Sequence, residues 1–86
     1  TIVFNNHGYN AMRKDQESYY PDGVAARNDL WMGHPITEFD YAELAKPFGA
    51  FGAKVETPAE LAGVLEAAFA AIAEGRPALL NVLLDA

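Results

Sequence analysis

The chain has 86 residues, of which 51% are hydrophobic and none is cysteine, and it carries a formal charge of −6. That length holds one small domain that buries a modest share of its surface, and the missing cysteines exclude disulfide staples and thiolate zinc sites. An acidic balance without a basic stripe argues against a nucleic-acid partner, and no apolar run approaches the ~18 residues of a membrane span.

Thr1-Ile2-Val3-Phe4 is β-branched and aromatic and reads as a short strand buried on both faces, as in a parallel sheet. The run opens in mid-strand with neither methionine nor a polar lead-in, which points to a piece of a longer chain. It lacks the basic start of a secretory signal and turns polar at Asn5. Together with the absence of cysteine this leads to the expectation of a cytoplasmic protein. Asn5-Asn6-His7-Gly8 breaks the strand with turn chemistry, and a helix is expected from Tyr9 to about Glu17.

Ser18 to Ile36 reads as irregular, with Pro21, Gly23, Gly33 and Pro35 and a strong Asp22-Gly23 turn pair. Its Tyr19, Tyr20, Trp31 and Met32 suggest a loop that docks on a neighbouring domain or covers a site, the former favoured. Asp40 can cap a helix through Tyr41, Ala42, Leu44 and Ala45, with Pro47 and Gly49 near its end. Gly52 to Glu56 is a weak strand candidate. Thr57-Pro58-Ala59-Glu60 has the form of a capping box with proline at the first helical position. The helix that follows is expected to bury Leu61, Val64, Leu65, Ala68, Phe69 and Ile72 and to stop at Gly75. Ala78 to Leu84 is then an apolar strand interrupted by Asn81. Strands alternating with helices predict an α/β fold, a partial three-layer α/β/α sandwich with three parallel strands.

In open parallel sheets, ligands sit beyond the carboxyl ends of the strands. There the Asn5–Gly8 turn leads into a helix start, whose free N–H groups favour an anion. The Asn6 amide oxygen and the Gly8 carbonyl are hard donors of the kind magnesium takes together with phosphate oxygens and a carboxylate. The plainer reading is an Asn-rich turn bonded to its own backbone. His7 is a generic proton-transfer candidate inside this turn, and His34 reads as structural or surface. Arg13 can hold an anion but is read as a surface ion pair with Asp15 or Glu17.

The ordered series resembles the C-terminal part of the thiamine diphosphate-binding domain of the acetolactate synthase, benzoylformate decarboxylase and pyruvate decarboxylase superfamily. Ile2 to Tyr9 is similar to that family's strand ending in a double asparagine. Glu38 to Ala45 with Phe48-Gly49 is similar to its next helix, and Val55 to Leu61 with Gly75 to Val82 to its final helix and strand. The resemblance implies thiamine diphosphate and Mg2+ as cofactors, with Asn6 and Gly8 as metal ligands. It places Gly8, Tyr9 and Asn10 near the diphosphate, and Ala11 and Met12 near the thiazolium and substrate. The pyruvate decarboxylase branch carries a catalytic glutamate where this chain has Met12, so the acetolactate synthase or benzoylformate decarboxylase type is favoured, and no residue of the chain is assigned as catalytic. The implied parent acts on 2-oxo acids by decarboxylation or carboligation, as a homodimer or homotetramer with further domains. The family's upstream Gly-Asp-Gly carboxylate and its activating glutamate are absent from residues 1–86, so these residues alone are expected to be inactive. A non-catalytic α/β binding or assembly module is the alternative.

Overall fold

The computed structural model describes residues 1–36 and 39–85. They form two compact units, one from Thr1–Asn5 with Phe39–Asp85 and one within Asn6–Glu38.

The first unit is a three-stranded sheet in which β1 (Ile2–Asn5) and β2 (Phe51–Val55) flank β3 (Ala78–Leu83), every pair parallel. Phe4 and Val55 both lie opposite Val82, so the three carboxyl ends fall level. This is the expected α/β architecture with its three parallel strands. β3 is central because it is the most continuously apolar segment. Its Ala78, Leu80 and Val82 form the core with Val55 and with Ala68 of α3 (Pro58–Ala73), flanked by Phe51, Ala53, Leu61, Val64 and Leu65. Leu80 is 2% exposed. Leu80→Ala is therefore expected to destabilise the chain by about 2–5 kcal/mol, the range for truncating a buried leucine, as read by urea denaturation.

Several expectations need correction. β1 is not buried on both faces: it has a neighbour strand on one side only, α3 packs mainly over β2 and β3, and Phe4 remains 68% exposed. The apolar stripe of α3 runs through Leu61, Val64, Leu65 and Ala68 but then passes to Ala71, leaving Phe69 and Ile72 exposed. The capping box is incomplete. Thr57 is the N-cap in extended backbone but makes no side-chain cap, and Glu60 Oε2 accepts from the Glu56 N–H at 3.0 Å, one residue earlier than the motif requires. Proline at the first helical position is as expected. Asn81 does not interrupt β3: it is fully buried in mid-strand.

Residues Tyr41–Phe48 form a 3₁₀ helix, not the α-helix that the pattern suggests. Its buried residues, Ala42 and Ala45, are three apart, the period of a 3₁₀ turn. Pro47 has no N–H with which to extend an α-helical ladder. Asp40 caps it as expected, accepting from the Ala42 N–H at 3.0 Å. The same Oδ1 accepts from Asn81 Nδ2 at 3.3 Å, and Asn81 Oδ1 accepts from Asn5 Nδ2 at 3.2 Å. A buried amide of the central strand thus joins the end of β1 to the helix cap. On the outer surface Glu43 accepts from Lys46 at 2.7 Å, and this hydrogen bond raises the lysine pKa; exposed pairs of this kind add little stability. Glu38, placed with this helix by the resemblance, lies outside the described residues.

The second unit holds α1 (Asn10–Tyr19) and α2 (Val24–Asn28). Helix α2 lies in a stretch expected to be irregular; its Val-Ala-Ala-Arg run sustains little more than one turn. Arg13 pairs with Glu17 at 3.0 Å, the surface ion pair expected, and its guanidinium also lies 5.1 Å from the Trp31 ring centroid. Tyr19, Tyr20 and Met32 are exposed. No helix among the described residues is long and apolar enough to cross a membrane.

Candidate functional site

Every residue singled out from the sequence as a ligand-binding candidate lies in the second unit, in the turn leaving β1 and in the first turn of α1. Asn6 and Gly8 are half-buried, Tyr9, Ala11 and Met12 are exposed, and Asn10 is buried. The Asn6 amide oxygen lies 3.4 Å from the Gly8 N–H, a long self-turn contact. The plainer reading of this turn is thus present in part. It does not exhaust Asn6, because an amide oxygen has two lone pairs.

Helix α1 begins without protection. Tyr9 is its N-cap residue and makes no side-chain cap, and the first turn holds no acidic residue. The earliest backbone bond runs from the Arg13 N–H to the Tyr9 carbonyl at 3.0 Å. The N–H groups of Asn10, Ala11 and Met12 precede it, so helix geometry gives them no intrahelical acceptor. An uncapped helix start free of carboxylates is a favourable place for an anion.

Backbone groups between Gly8 and Asn10 are not equivalent. The Tyr9 N–H donates to the Gly33 carbonyl at 2.9 Å, so it is already used. Asn10 contributes structure through its side chain: Nδ2 donates to the Asn6 carbonyl at 3.2 Å and ties the helix start back to the turn. His7 has φ 62, and its carbonyl accepts from the Ile36 N–H at 2.7 Å. Its backbone therefore shapes the turn.

Gly8 is glycine for a spatial reason. A Cβ there would lie 2.2 Å from His34 Nδ1, 2.9 Å from His34 Cγ and 3.0 Å from the Gly33 carbonyl oxygen. The sequence reading left His34 and Gly33 out of the site, and nothing in their local pattern marks them. Only the return of the loop onto the turn reveals the contact.

As a donor set, Asn6 Oδ1 and the Gly8 carbonyl suit a hard cation but carry no charge. Among the described residues no group of three or more His, Cys, Asp or Glu could hold a metal. Two neutral oxygens of this kind are compatible with magnesium only where phosphate oxygens and a carboxylate complete the shell.

Residues 1–82 match the family model of the thiamine pyrophosphate enzyme C-terminal TPP-binding domain. The chain belongs to this family. The match begins at Thr1, one residue before β1, includes the turn and residues of both units, and ends at Val82 in β3. It identifies the chain as part of a thiamine diphosphate-dependent enzyme, and thiamine diphosphate as the ligand of such a domain. No solved structure matches the chain significantly.

Proposed function

We propose that the Asn6–Gly8 turn holds Mg2+ and, through it, the diphosphate of thiamine diphosphate in a parent enzyme acting on 2-oxo acids. The observation that carries this reading is the uncapped, acid-free start of α1 directly after a turn that offers two neutral oxygens. Asn6 contributes Oδ1 and Gly8 its carbonyl to the metal. The first-turn N–H groups of Asn10, Ala11 and Met12 face the negative charge, and the exposed Ala11 and Met12 side chains shape the wall beside the reacting end. When bound, thiamine diphosphate supplies the electron sink for decarboxylation or carboligation.

Met12 bears on the branch. Its thioether cannot transfer a proton, which favours a wall of the acetolactate synthase or benzoylformate decarboxylase type and leaves proton transfer to a group other than residue 12. The charge missing from the metal site also comes from outside, from a Gly-Asp-Gly carboxylate one β/α unit upstream. We therefore read residues 1–86 as the C-terminal portion of the binding domain of a cytoplasmic homodimer or homotetramer, inactive alone.

Titration calorimetry of the full-length gene product tests the reading. Thiamine diphosphate is expected to bind only in the presence of Mg2+. Asn6→Ala is expected to weaken that binding by about 10–100-fold, as loss of a polar contact to a charged partner at about 1.5–3 kcal/mol implies. Binding of the wild type without Mg2+, or wild-type affinity in Asn6→Ala, rejects the site. Absence of any cofactor binding favours the non-catalytic assembly module.

A further inference from the structure

We propose that the segment Gly33–Ile36 is the positioning element of the metal-binding turn, setting the direction in which the Gly8 carbonyl points; this rests on the reading of the turn given above. The peptide group is planar. In a trans peptide the carbonyl and the following N–H lie in one plane and point in opposite directions, and among the described residues the cis bond is His34–Pro35, outside the turn. The Gly8 carbonyl and the Tyr9 N–H share one such plane. The Tyr9 N–H donates to the Gly33 carbonyl at 2.9 Å, so the Gly8 carbonyl is directed away from Gly33. The preceding plane is pinned in the same manner. The His7 carbonyl accepts from the Ile36 N–H at 2.7 Å, which sends the Gly8 N–H the other way, toward Asn6 Oδ1 at 3.4 Å.

Two consecutive planes are thus held by two backbone bonds from one short segment. The turn needs such a hold. His7 sits at φ 62, a left-handed conformation that stores about 1–3 kcal/mol in a residue with a side chain and persists only where its surroundings enforce it. Gly33 is itself at φ 73, and a Cβ there would lie 2.0 Å from Tyr9 Cδ2. The His34 ring closes the arrangement by packing on the Gly8 α-carbon, where there is no room for a methyl group. His34 Nδ1 is buried and has no hydrogen-bond partner among the described residues. Metal sites lose affinity when the groups that orient their ligands are removed, typically about 10–100-fold.

The test uses the full-length protein, with apparent Mg2+ affinity measured by titration in the presence of thiamine diphosphate, and far-UV circular dichroism of the apoprotein alongside. Ile36→Pro removes the N–H that holds His7 and is expected to weaken Mg2+ binding at least about tenfold, whereas Ile36→Val keeps the N–H and binds as the wild type does. His34→Ala removes the wedge without touching the backbone bonds and is expected to lose affinity with an unchanged far-UV spectrum. It serves as the deciding variant if Ile36→Pro does not fold. Wild-type Mg2+ affinity in folded Ile36→Pro or in His34→Ala overturns the positioning role while leaving the metal reading intact. Equal losses in Ile36→Val and Ile36→Pro also overturn it, because the bond would then be irrelevant. A wild type that takes up the cofactor without regard to Mg2+ removes the metal reading and the positioning role together.

Discussion

Gly8→Ala in the full-length protein is expected to weaken Mg2+-dependent thiamine diphosphate binding by about 10–100-fold, the scale seen when metal ligands lose their orientation. The added methyl group would meet three atoms at 3.0 Å or less, two in the His34 ring and one the Gly33 carbonyl oxygen. The ring can yield only by leaving the turn, and the carbonyl only by releasing the Tyr9 N–H that it holds at 2.9 Å. Overpacking of this kind costs about 1–3 kcal/mol locally, and here it falls on the peptide whose oxygen is the proposed ligand. The contact predicts a coupling. In a His34→Ala background two of the three collisions vanish, so Gly8→Ala should cost less than it does alone, and the double variant should bind better than the sum of the two losses implies. Titration of the four proteins measures this, and strict additivity would show that residues 8 and 34 do not meet.

The second large effect falls on stability. Asn81 is fully buried, accepts from Asn5 Nδ2 at 3.2 Å and donates to Asp40 Oδ1 at 3.3 Å. Asn81→Ala takes an acceptor from buried Asn5, takes a donor from the carboxylate that caps the 3₁₀ helix, and leaves a void in the central strand. Lost buried hydrogen bonds at about 1–3 kcal/mol, plus the void, put the total at about 2–4 kcal/mol. Asn81→Leu restores volume but not the bonds, so it should recover less than half of the loss. Urea denaturation followed by circular dichroism separates the two, and a loss below about 1 kcal/mol for Asn81→Ala would mean that the amide network carries little net energy, as some buried networks do.

The parts of this structure that were legible in the sequence are those written in local pattern. The three strands, the proline-led start of α3 and the Asp40 cap follow from β-branched runs and capping chemistry within a few residues of each other. The Asn5–Gly8 turn was legible as a donor-bearing strand end, because strand, turn and helix start are contiguous. What escaped depends on partners far along the chain. Asn81 looks like a flaw in an apolar strand until Asn5 and Asp40, 76 and 41 residues away, are brought beside it. Phe69 and Ile72 have core spacing, yet beyond Ala68, buried as expected, α3 buries Ala71 and leaves both larger side chains exposed. The hold of Gly33–Ile36 on the turn consists of two backbone bonds and one ring contact, and backbone bonds of that sort have no sequence signature.

A crystal structure of the full-length protein with Mg2+ and thiamine diphosphate addresses the turn most directly. Asn6 Oδ1 and the Gly8 carbonyl oxygen should each lie about 2.0–2.1 Å from the ion, the distance magnesium demands of its oxygens, with the diphosphate against the first turn of α1. An ion coordinated by other groups, with neither of these oxygens in its shell, would contradict the proposed role of the turn.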